Sequence, residues 1–357
     1  MIGILGAYGN IGIWATRFIK ANSTQNIRIG GRNIDKVAPE IHEEFAEANW
    51  IKVDVSNKDS VERFINGCDC ILDCTKISEK DALQIDDIAS IANIPVVHLG
   101  IVGYRKGKST AQIIYGAGSI PGLSGLIPQY LAQHFDAVEK CDFYYGGIGS
   151  FSYTAARDYM EGIFESSNHS MTYWKDGELQ PFTPTPTRPT EVLESFLGTF
   201  KSFPYFDEES AAVVQKIGFK EARFQMCLGG ERTLRVLDSA RSQYKQNPEK
   251  TIEDICRSTQ LDCFGKSENA IFVCNIDGSA NGNTCQKQLL ISGLAPSQLT
   301  GSVAGATTIT ILEKELPRQE FLLGETDLSN DIINKLSNIK SFSCTTKNVS
   351  DEIEGEI

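Results

Sequence analysis

The chain has 357 residues, 41% hydrophobic and 22% charged, with a formal net charge of -12. That length fits two domains of ordinary size, and the composition excludes a chain that is mainly disordered. The acidic balance argues against nucleic acid or an anionic membrane surface as a partner, because phosphates demand a basic footprint. No basic region precedes an apolar stretch at the start, and no window approaches the roughly 18 apolar residues of a membrane span, so a cytoplasmic protein is expected. Ten cysteines without a C-x-x-C pair, and only four histidines, point to reduced thiols and away from a bound metal.

Apolar runs alternate with amphipathic stretches from the first residue. Met1–Leu5 reads as a strand, and Asn10–Ala21 as a helix with Ile11, Trp14, Ala15 and Phe18 on one face. Ile27–Ile29 is a second strand, followed by a helix over Ile34–Glu47 and a third strand over Trp50–Val55. Val61–Ile65 marks a short helix, Cys68–Cys74 a fourth strand, and Asp81–Ala92 a helix. Pro95–Leu99 and Ala111–Tyr115 complete the series. Such alternation is the pattern of an open parallel sheet with helices on both faces, and it delimits a first domain over residues 1–120.

Beyond it the alternation is lost, and residues 121–295 read as a mixed α+β domain for substrate binding and dimerisation. Leu123–His134 is a helix, Val138–Gly146 a strand, and Tyr173–Glu178 a hairpin turn in which Asp176-Gly177 supplies positive φ angles. The proline-rich stretch Phe182–Pro189 is a loop. Glu221–Leu228 is a strand, and Ala270–Ile276 pairs with Cys285–Ile291. Pro296–Glu315 is a last helix, within a segment 296–340 expected to return to the first domain. Residues 341–357 are polar, end acidic and are expected to be disordered.

Gly6-Ala7-Tyr8-Gly9-Asn10-Ile11-Gly12 falls between the first strand and the first helix. Gly6 permits the tight turn, Gly9 admits the backbone to a pyrophosphate, and Gly12 lets the helix pack on the sheet. Tyr8, Asn10 and Ile11 complete the loop, whose helix offers N–H groups and a positive dipole end to phosphates. This is the fingerprint of a Rossmann-type dinucleotide site. The second strand ends Ile29-Gly30-Gly31-Arg32-Asn33, where an NAD site usually has an acid and an NADP site a cation. Arg32 fits a 2′-phosphate, with Lys36 a turn later, so NADP (as NADPH) is expected rather than NAD. The other assignment leaves Arg32 solvated and gives the acidic role to Asp35. Asp54 and Val55 border the expected adenine position, and Cys74 and Thr75 the far side of the site.

The glycine loop, Gly31-Arg32-Asn33 and the Ala117-Gly118-Ser119-Ile120-Pro121-Gly122 corner resemble the saccharopine dehydrogenase-like oxidoreductases. The match is specific over about the first third of the chain and one of layout beyond it. The resemblance implies an NADP-binding domain followed by an inserted substrate domain. It also implies chemistry at a carbon–nitrogen bond, an imine of an amino acid being reduced to a secondary amine or the reverse. The chain departs from the pattern at Val97-His98-Leu99-Gly100, where an acidic or small residue is expected.

Ligands of open α/β sheets bind outside the carboxyl ends of the strands, which singles out Asp73-Cys74-Thr75-Lys76 and His98-Leu99-Gly100. His98 is a candidate proton donor for an imine nitrogen, with partial burial beside the cofactor as the plainer assignment. Lys76 is a second candidate donor if it is desolvated, or an orienter of carboxylate, with a solvated loop lysine as the plainer assignment. Arg157, with Tyr153, Asp158 and Tyr159 around it, is a candidate clamp for a substrate carboxylate. Arg223, Arg232 and Arg235 are further candidates. The expected partner is thus a small carboxylate-bearing substrate, and a homodimer is open. Two alternatives stand beside imine reduction of a free substrate: a reductase of a carrier-tethered thiazoline or imine, and a non-catalytic NADP sensor.

Overall fold

The computed structural model describes every residue except 108, 163, 165–168, 183–195, 197–199, 315 and 350–357. In chain order, β1 (Ile2–Leu5) leads to α1 (Gly12–Asn22), β2 (Ile27–Gly31), α2 (Pro39–Glu44), β3 (Asn49–Lys52), α3 (Lys58–Ile65), β4 (Cys70–Asp73), α4 (Glu79–Ala92), β5 (Val96–His98), β6 (Ile113–Tyr115) and α5 (Leu123–Ala132). Next come β7 (Ala137–Ile148), α6 (Tyr153–Gly162), β8 (His169–Ser170), β9 (Thr172–Lys175), β10 (Glu178–Pro181), β11 (Phe200–Phe206), α7 (Glu208–Ile217), β12 (Glu221–Gly229), α8 (Glu231–Gln246) and α9 (Pro248–Cys263). The chain closes with β13 (Asn269–Ala280), β14 (Asn283–Ser292), α10 (Pro296–Glu313), β15 (Glu320–Leu322), α11 (Ser329–Leu336) and β16 (Ser343–Asn348). Two compact units result. One comprises Met1–Leu126 and Ser297–Ile339, the other Ile127–Pro296 and the described residues from Lys340 on.

The first unit is the expected α/β fold. Its seven strands lie in the order β15-β6-β5-β4-β1-β2-β3, and every neighbouring pair is parallel. β1, β4, β5 and β6 are buried along their whole length, as a sheet covered on both faces requires. Leu5, Val61, Phe64, Ile71, Val96, Ile113 and Leu322 form its core. Side-chain caps start two of the helices: Asn57 accepts from the Ser60 amide at 2.9 Å before α3, and Ser78 from the Asp81 amide at 3.2 Å before α4.

The helix expected over Ile34–Glu47 is broken instead into a 3-10 turn at Ile34–Lys36 and the short α2 that Pro39 opens. Proline has no N–H to give an interior helical turn and suits only the first. β3 is correspondingly shorter than the Trp50–Val55 of the sequence pattern. The expected final helix is α10, and it packs on α1 within this same unit. A Cβ on Gly301 would come within 2.5 Å of the Ile11 carbonyl oxygen and 2.7 Å of the Trp14 Cβ.

The second unit carries a mixed sheet in the order β10-β9-β12-β7-β13-β14-β16, with β11 pairing β12 and β8. β7 runs parallel to β12 and antiparallel to β13. The β9–β10 hairpin turns at Asp176 and Gly177 with φ of 50° and 92°, as Asp-Gly demands. Disorder from residue 341 onward is corrected for part of that segment: Ser343–Asn348 forms β16, antiparallel to β14. Residues 183–189 of the expected loop, and 350–357 of the expected tail, lie outside the described residues. Among the described residues no helix is long and apolar enough to cross a membrane.

Two effects oppose each other at Gly301. Alanine gains about 1 kcal/mol of helix propensity over glycine, whereas overpacking against a fixed backbone costs about 1–3 kcal/mol. The carbonyl that a Cβ would meet at 2.5 Å is backbone and cannot swing aside. Gly301→Ala is therefore expected to lower stability, read as a reduced midpoint in urea unfolding. A raised midpoint would show that α10 does not press on α1.

Candidate functional site

The glycine loop joins β1 to α1 at the carboxyl edge of the parallel sheet. Gly6 has φ of 72°, in the left-handed region, and its carbonyl accepts from the Gly9 amide at 2.9 Å. A Cβ on Gly12 would lie 2.1 Å from that same carbonyl, so no side chain fits where α1 begins. No side chain caps α1 and no acid occupies its first turn. No side chain or carboxylate thus opposes an anion at the positive dipole end, although the Ile13 and Trp14 amides already donate to the Gly9 and Ile11 carbonyls at 3.0 Å each.

At the neighbouring strand end, the Tyr8 hydroxyl accepts from the Asn33 amide at 3.2 Å. Its ring lies where a side chain on Gly31 would be, an added Cβ falling 2.2 Å from the phenol oxygen. Arg32 is exposed beside it. Asp54, just past β3, is also exposed. Hydrogen bonds from the Ser56 hydroxyl at 2.8 Å and amide at 3.1 Å hold its carboxyl below the usual range, with a smaller contribution from Arg32. The Val55 carbonyl accepts from Gln84 Nε2 at 2.8 Å.

On the other side of β1, the turn Asp73-Cys74-Thr75 abuts the loop. A Cβ on Gly6 would meet Thr75 Cγ2 at 2.9 Å and the Cys74 carbonyl oxygen at 3.1 Å. The Thr75 amide donates to Asp73 Oδ1 at 2.9 Å, and the Thr75 hydroxyl donates to the same oxygen. Burial, then the neighbouring Asp73, pushes the Cys74 thiol well above its ordinary range, which suits a wall and not a nucleophile. Lys76 is exposed just beyond.

His98 lies beneath this turn and is 3% exposed. Its Nδ1 is 2.9 Å from Asp73 Oδ2 and its Nε2 is 2.8 Å from Asp86 Oδ1. The Tyr115 hydroxyl donates to the second oxygen of Asp86, and the Tyr115 ring stacks on the imidazole at 4.7 Å. Burial pulls the imidazole pKa down, but Asp86 and Asp73 together outweigh it and lift it to about 10. Both ring nitrogens are taken up inside the fold by a cation–carboxylate sandwich. Sequence reasoning missed Asp86 and Tyr115. Their only signal was polarity at positions where α4 and β6 face the core.

The glycine loop, Tyr8, Arg32, Asn33, Asp54, Val55, Cys74, Thr75, Lys76 and His98 therefore converge at one edge of the first unit. Arg157 belongs to the other unit, on α6, where it donates to the Tyr153 hydroxyl at 3.3 Å and lies 5.0 Å over that ring. The further arginines have acidic neighbours: Arg223 lies 2.7 Å from Glu221, Arg232 lies 3.5 Å from Asp262, and Arg235 pairs with Glu231.

No family model matches the sequence, and no curated protein matches it. Among solved structures, apo saccharopine dehydrogenase (L-Glu forming) from Saccharomyces cerevisiae aligns over 98% of this chain and 99% of its own, with a TM-score of 0.69 and 14% identity. The chain has the saccharopine dehydrogenase fold. Homospermidine synthase from Legionella pneumophila, solved in complex with NAD, aligns over 100% of this chain and 93% of its own, with a TM-score of 0.59 and 11% identity. Identities this low carry the fold alone. For the saccharopine dehydrogenase fold they cover both units, and so extend the likeness well past the third of the chain in which sequence motifs carry it.

The upward shift at His98 has a sign that can be tested. Its stabilisation is fully present below the ordinary histidine value near 6.5 and is lost as the pH climbs toward about 10. His98→Ala is expected to cost about 3–5 kcal/mol at neutral pH, because two buried carboxylates lose the cation between them. Urea unfolding across a pH series should show the alkaline loss in the parent protein and not in His98→Gln. Identical slopes would mean that His98 is uncharged in the fold.

Proposed function

We propose that the protein is an NADP(H)-dependent oxidoreductase that reduces the C=N bond of an amino-acid-derived imine. The observation that carries this reading is the start of α1 without a side-chain cap, behind a loop in which Gly6 and Gly12 have no room for side chains, with Arg32 at the end of β2. These residues fit a dinucleotide: the cradle that Gly6, Gly9 and Gly12 leave open is what a pyrophosphate needs. When bound, the nicotinamide supplies a hydride. The chain supplies the rest. The first turn of α1 holds the pyrophosphate, and Arg32 offers its planar fork to the 2′-phosphate. Asp54 and Val55 border the adenosine side, and the Cys74–Thr75 turn walls the other. Lys76 stands exposed at the strand ends and is the proton source in this reading once a bound substrate desolvates it. The imine class rests on what the motif resemblance to the saccharopine dehydrogenase-like oxidoreductases implies, and the likeness to solved structures adds the fold to it.

Asp54 bears on the choice of cofactor, because a carboxylate near the 2′-position repels phosphate. At an exposed site that repulsion is about 1 kcal/mol or less at 4 Å in water and is screened further by salt. A charge-assisted hydrogen bond contributes about 1.5–3 kcal/mol, so the arginine fork wins. Arg32→Ala is expected to weaken NADPH binding by about 10- to 100-fold and leave NADH within about twofold. Titration calorimetry with both cofactors measures this, and an equal loss for both sinks the 2′-phosphate assignment.

The activity itself is read by NADPH oxidation against 2-oxo acids and aldehydes, each with and without amino acids. Turnover that needs both partners supports imine reduction, and turnover with a carbonyl alone replaces it with ketone or aldehyde reduction. The sequestered ring of His98 favours one other reading, a non-catalytic dinucleotide sensor. Tight NADPH binding with no turnover in any combination would establish that instead.

A further inference from the structure

The turn that walls one side of the dinucleotide site is anchored in the apolar core only past its end, by Ile77. Cys74 and Thr75 are only half-buried. The Cys74 amide donates to the Leu5 carbonyl at 3.0 Å, and both Thr75 donors converge on one oxygen of Asp73. The other oxygen of Asp73 faces His98, which is its register partner across β4 and β5. His98 is held in turn by Asp86 on α4, and Asp86 by Tyr115 on β6. A continuous polar chain thus runs from Tyr115 through Asp86, His98 and Asp73 to Thr75, whose methyl group touches the position of a Cβ on Gly6. Every member is satisfied by its neighbours, and the three central groups are at most 4% exposed.

We propose that His98 is a positioning residue: clamped between Asp73 and Asp86, it fixes the Asp73–Thr75 turn and so sets the affinity for the nicotinamide half of the dinucleotide. This rests on the dinucleotide reading above. The half is assigned by topology. β1 lies between β2 and β4, the ligand of such a sheet sits at that switch point, and the adenosine side belongs to β2 with Arg32. What remains lies over β4 and β5, where the Asp73–Thr75 turn stands. The role replaces that of a proton donor, since no ring nitrogen of His98 reaches past the two carboxylates.

The test compares the affinity for NADP with that for 2′,5′-ADP, which carries the adenosine half and lacks the nicotinamide. In His98→Gln, the NADP affinity is expected to fall about tenfold while that for 2′,5′-ADP stays within about twofold. A merely structural role would weaken both alike, as the loop and helix start would loosen together. Asp86→Asn is the second variant, chosen because it can fold: its carbonyl still accepts from Nε2, and the Tyr115 hydroxyl can turn to accept from its amide.

The titratable groups facing the imidazole are Asp73 from β4, Asp86 from α4 and Tyr115 from β6. With Asp86 neutral, His98 loses one of its two counter-charges. The ratio of the two affinities, flat in the parent protein, is then expected to drop several-fold as the pH rises from about 7 to about 9. Circular dichroism at each pH confirms that the variants are folded. An unchanged ratio in both folded variants overturns the proposal, and so does parallel loss of both ligands. A parent protein that binds 2′,5′-ADP but shows no gain for NADP overturns the positioning role alone. One that binds neither takes the NADP reading down with it, and takes the dinucleotide reading too if NAD also fails to bind.

Discussion

The approach of Gly12 to the Gly6 carbonyl is the constraint on which the first unit turns. A loop that must leave β1, reverse, and start a helix against its own first residue has no volume for side chains at either contact. The 2.1 Å that a Cβ on Gly12 would leave is not a distance any rotamer change can relieve, because the obstructing atom is backbone. The same closeness makes the helix start bare. With Ile11 in the capping position and no acid in the first turn, the loop gives up the stabilisation of about 1 kcal/mol that a side-chain cap would supply. The Ile13 and Trp14 amides turn back onto the Gly9 and Ile11 carbonyls instead, at 3.0 Å each, and what stays uncompensated for an anion to meet is the positive dipole end.

Around that loop the fold places charge where it is expensive. Asp73 and Asp86 are both at most 4% exposed, and burying two carboxylates in close company is tolerable only with a cation and full hydrogen bonding between them. The imidazole of His98 meets both conditions because it has two nitrogens on opposite sides of a flat ring, one for each carboxylate. Lysine would offer a single point of charge at the end of a long chain, and arginine a larger fork than the gap between two carboxylates that one imidazole ring separates. The stacked ring of Tyr115 closes the remaining face and brings a hydroxyl for the last carboxylate oxygen. The result is a strut of polar groups between α4 and the end of β4 that holds Asp73 at the start of the turn, as Ile77 holds the chain beyond it in the apolar core.

What could be read from the sequence and what could not divides along physical lines. The strand–helix alternation, the glycine loop and the Asp176-Gly177 hairpin were legible because each is a local rule: residue spacing or a backbone angle decides it. Val37, Ile41 and Phe45 recur at spacings of four, the pattern of one helix, but Pro39 lies between them and breaks it. β16 was illegible for another reason. Ser343–Asn348 is a mostly exposed edge strand of polar residues, without the alternation that marks a half-buried strand, and its partner β14 lies some fifty residues away. His98 was picked out by its place at a strand end, but its role depends on Asp86 and Tyr115, which only tertiary packing brings to the ring. A histidine's neighbours decide whether it gives a proton or holds one, and the sequence does not list its neighbours.

α10 shows how far the support of the loop extends along the chain. Residues 301 and 305 follow the second unit's entire sheet apart from β16, yet they pack on α1. Gly301 sits against the Ile11 carbonyl and the Trp14 side chain, at the first turn of α1. Three separate segments thus press on one stretch of about seven residues: the Thr75 turn at Gly6, α1 itself at Gly12, and α10 at Ile11. A phosphate-binding loop gains affinity when it is ordered before the ligand arrives, because binding then spends nothing on fixing its backbone. Glycine-rich loops are the least ordered of all when left to themselves, since glycine loses the most conformational freedom on folding. The close contacts resolve that conflict. The glycines are needed because the packing is tight, and the tight packing in turn removes the freedom that the glycines would otherwise confer.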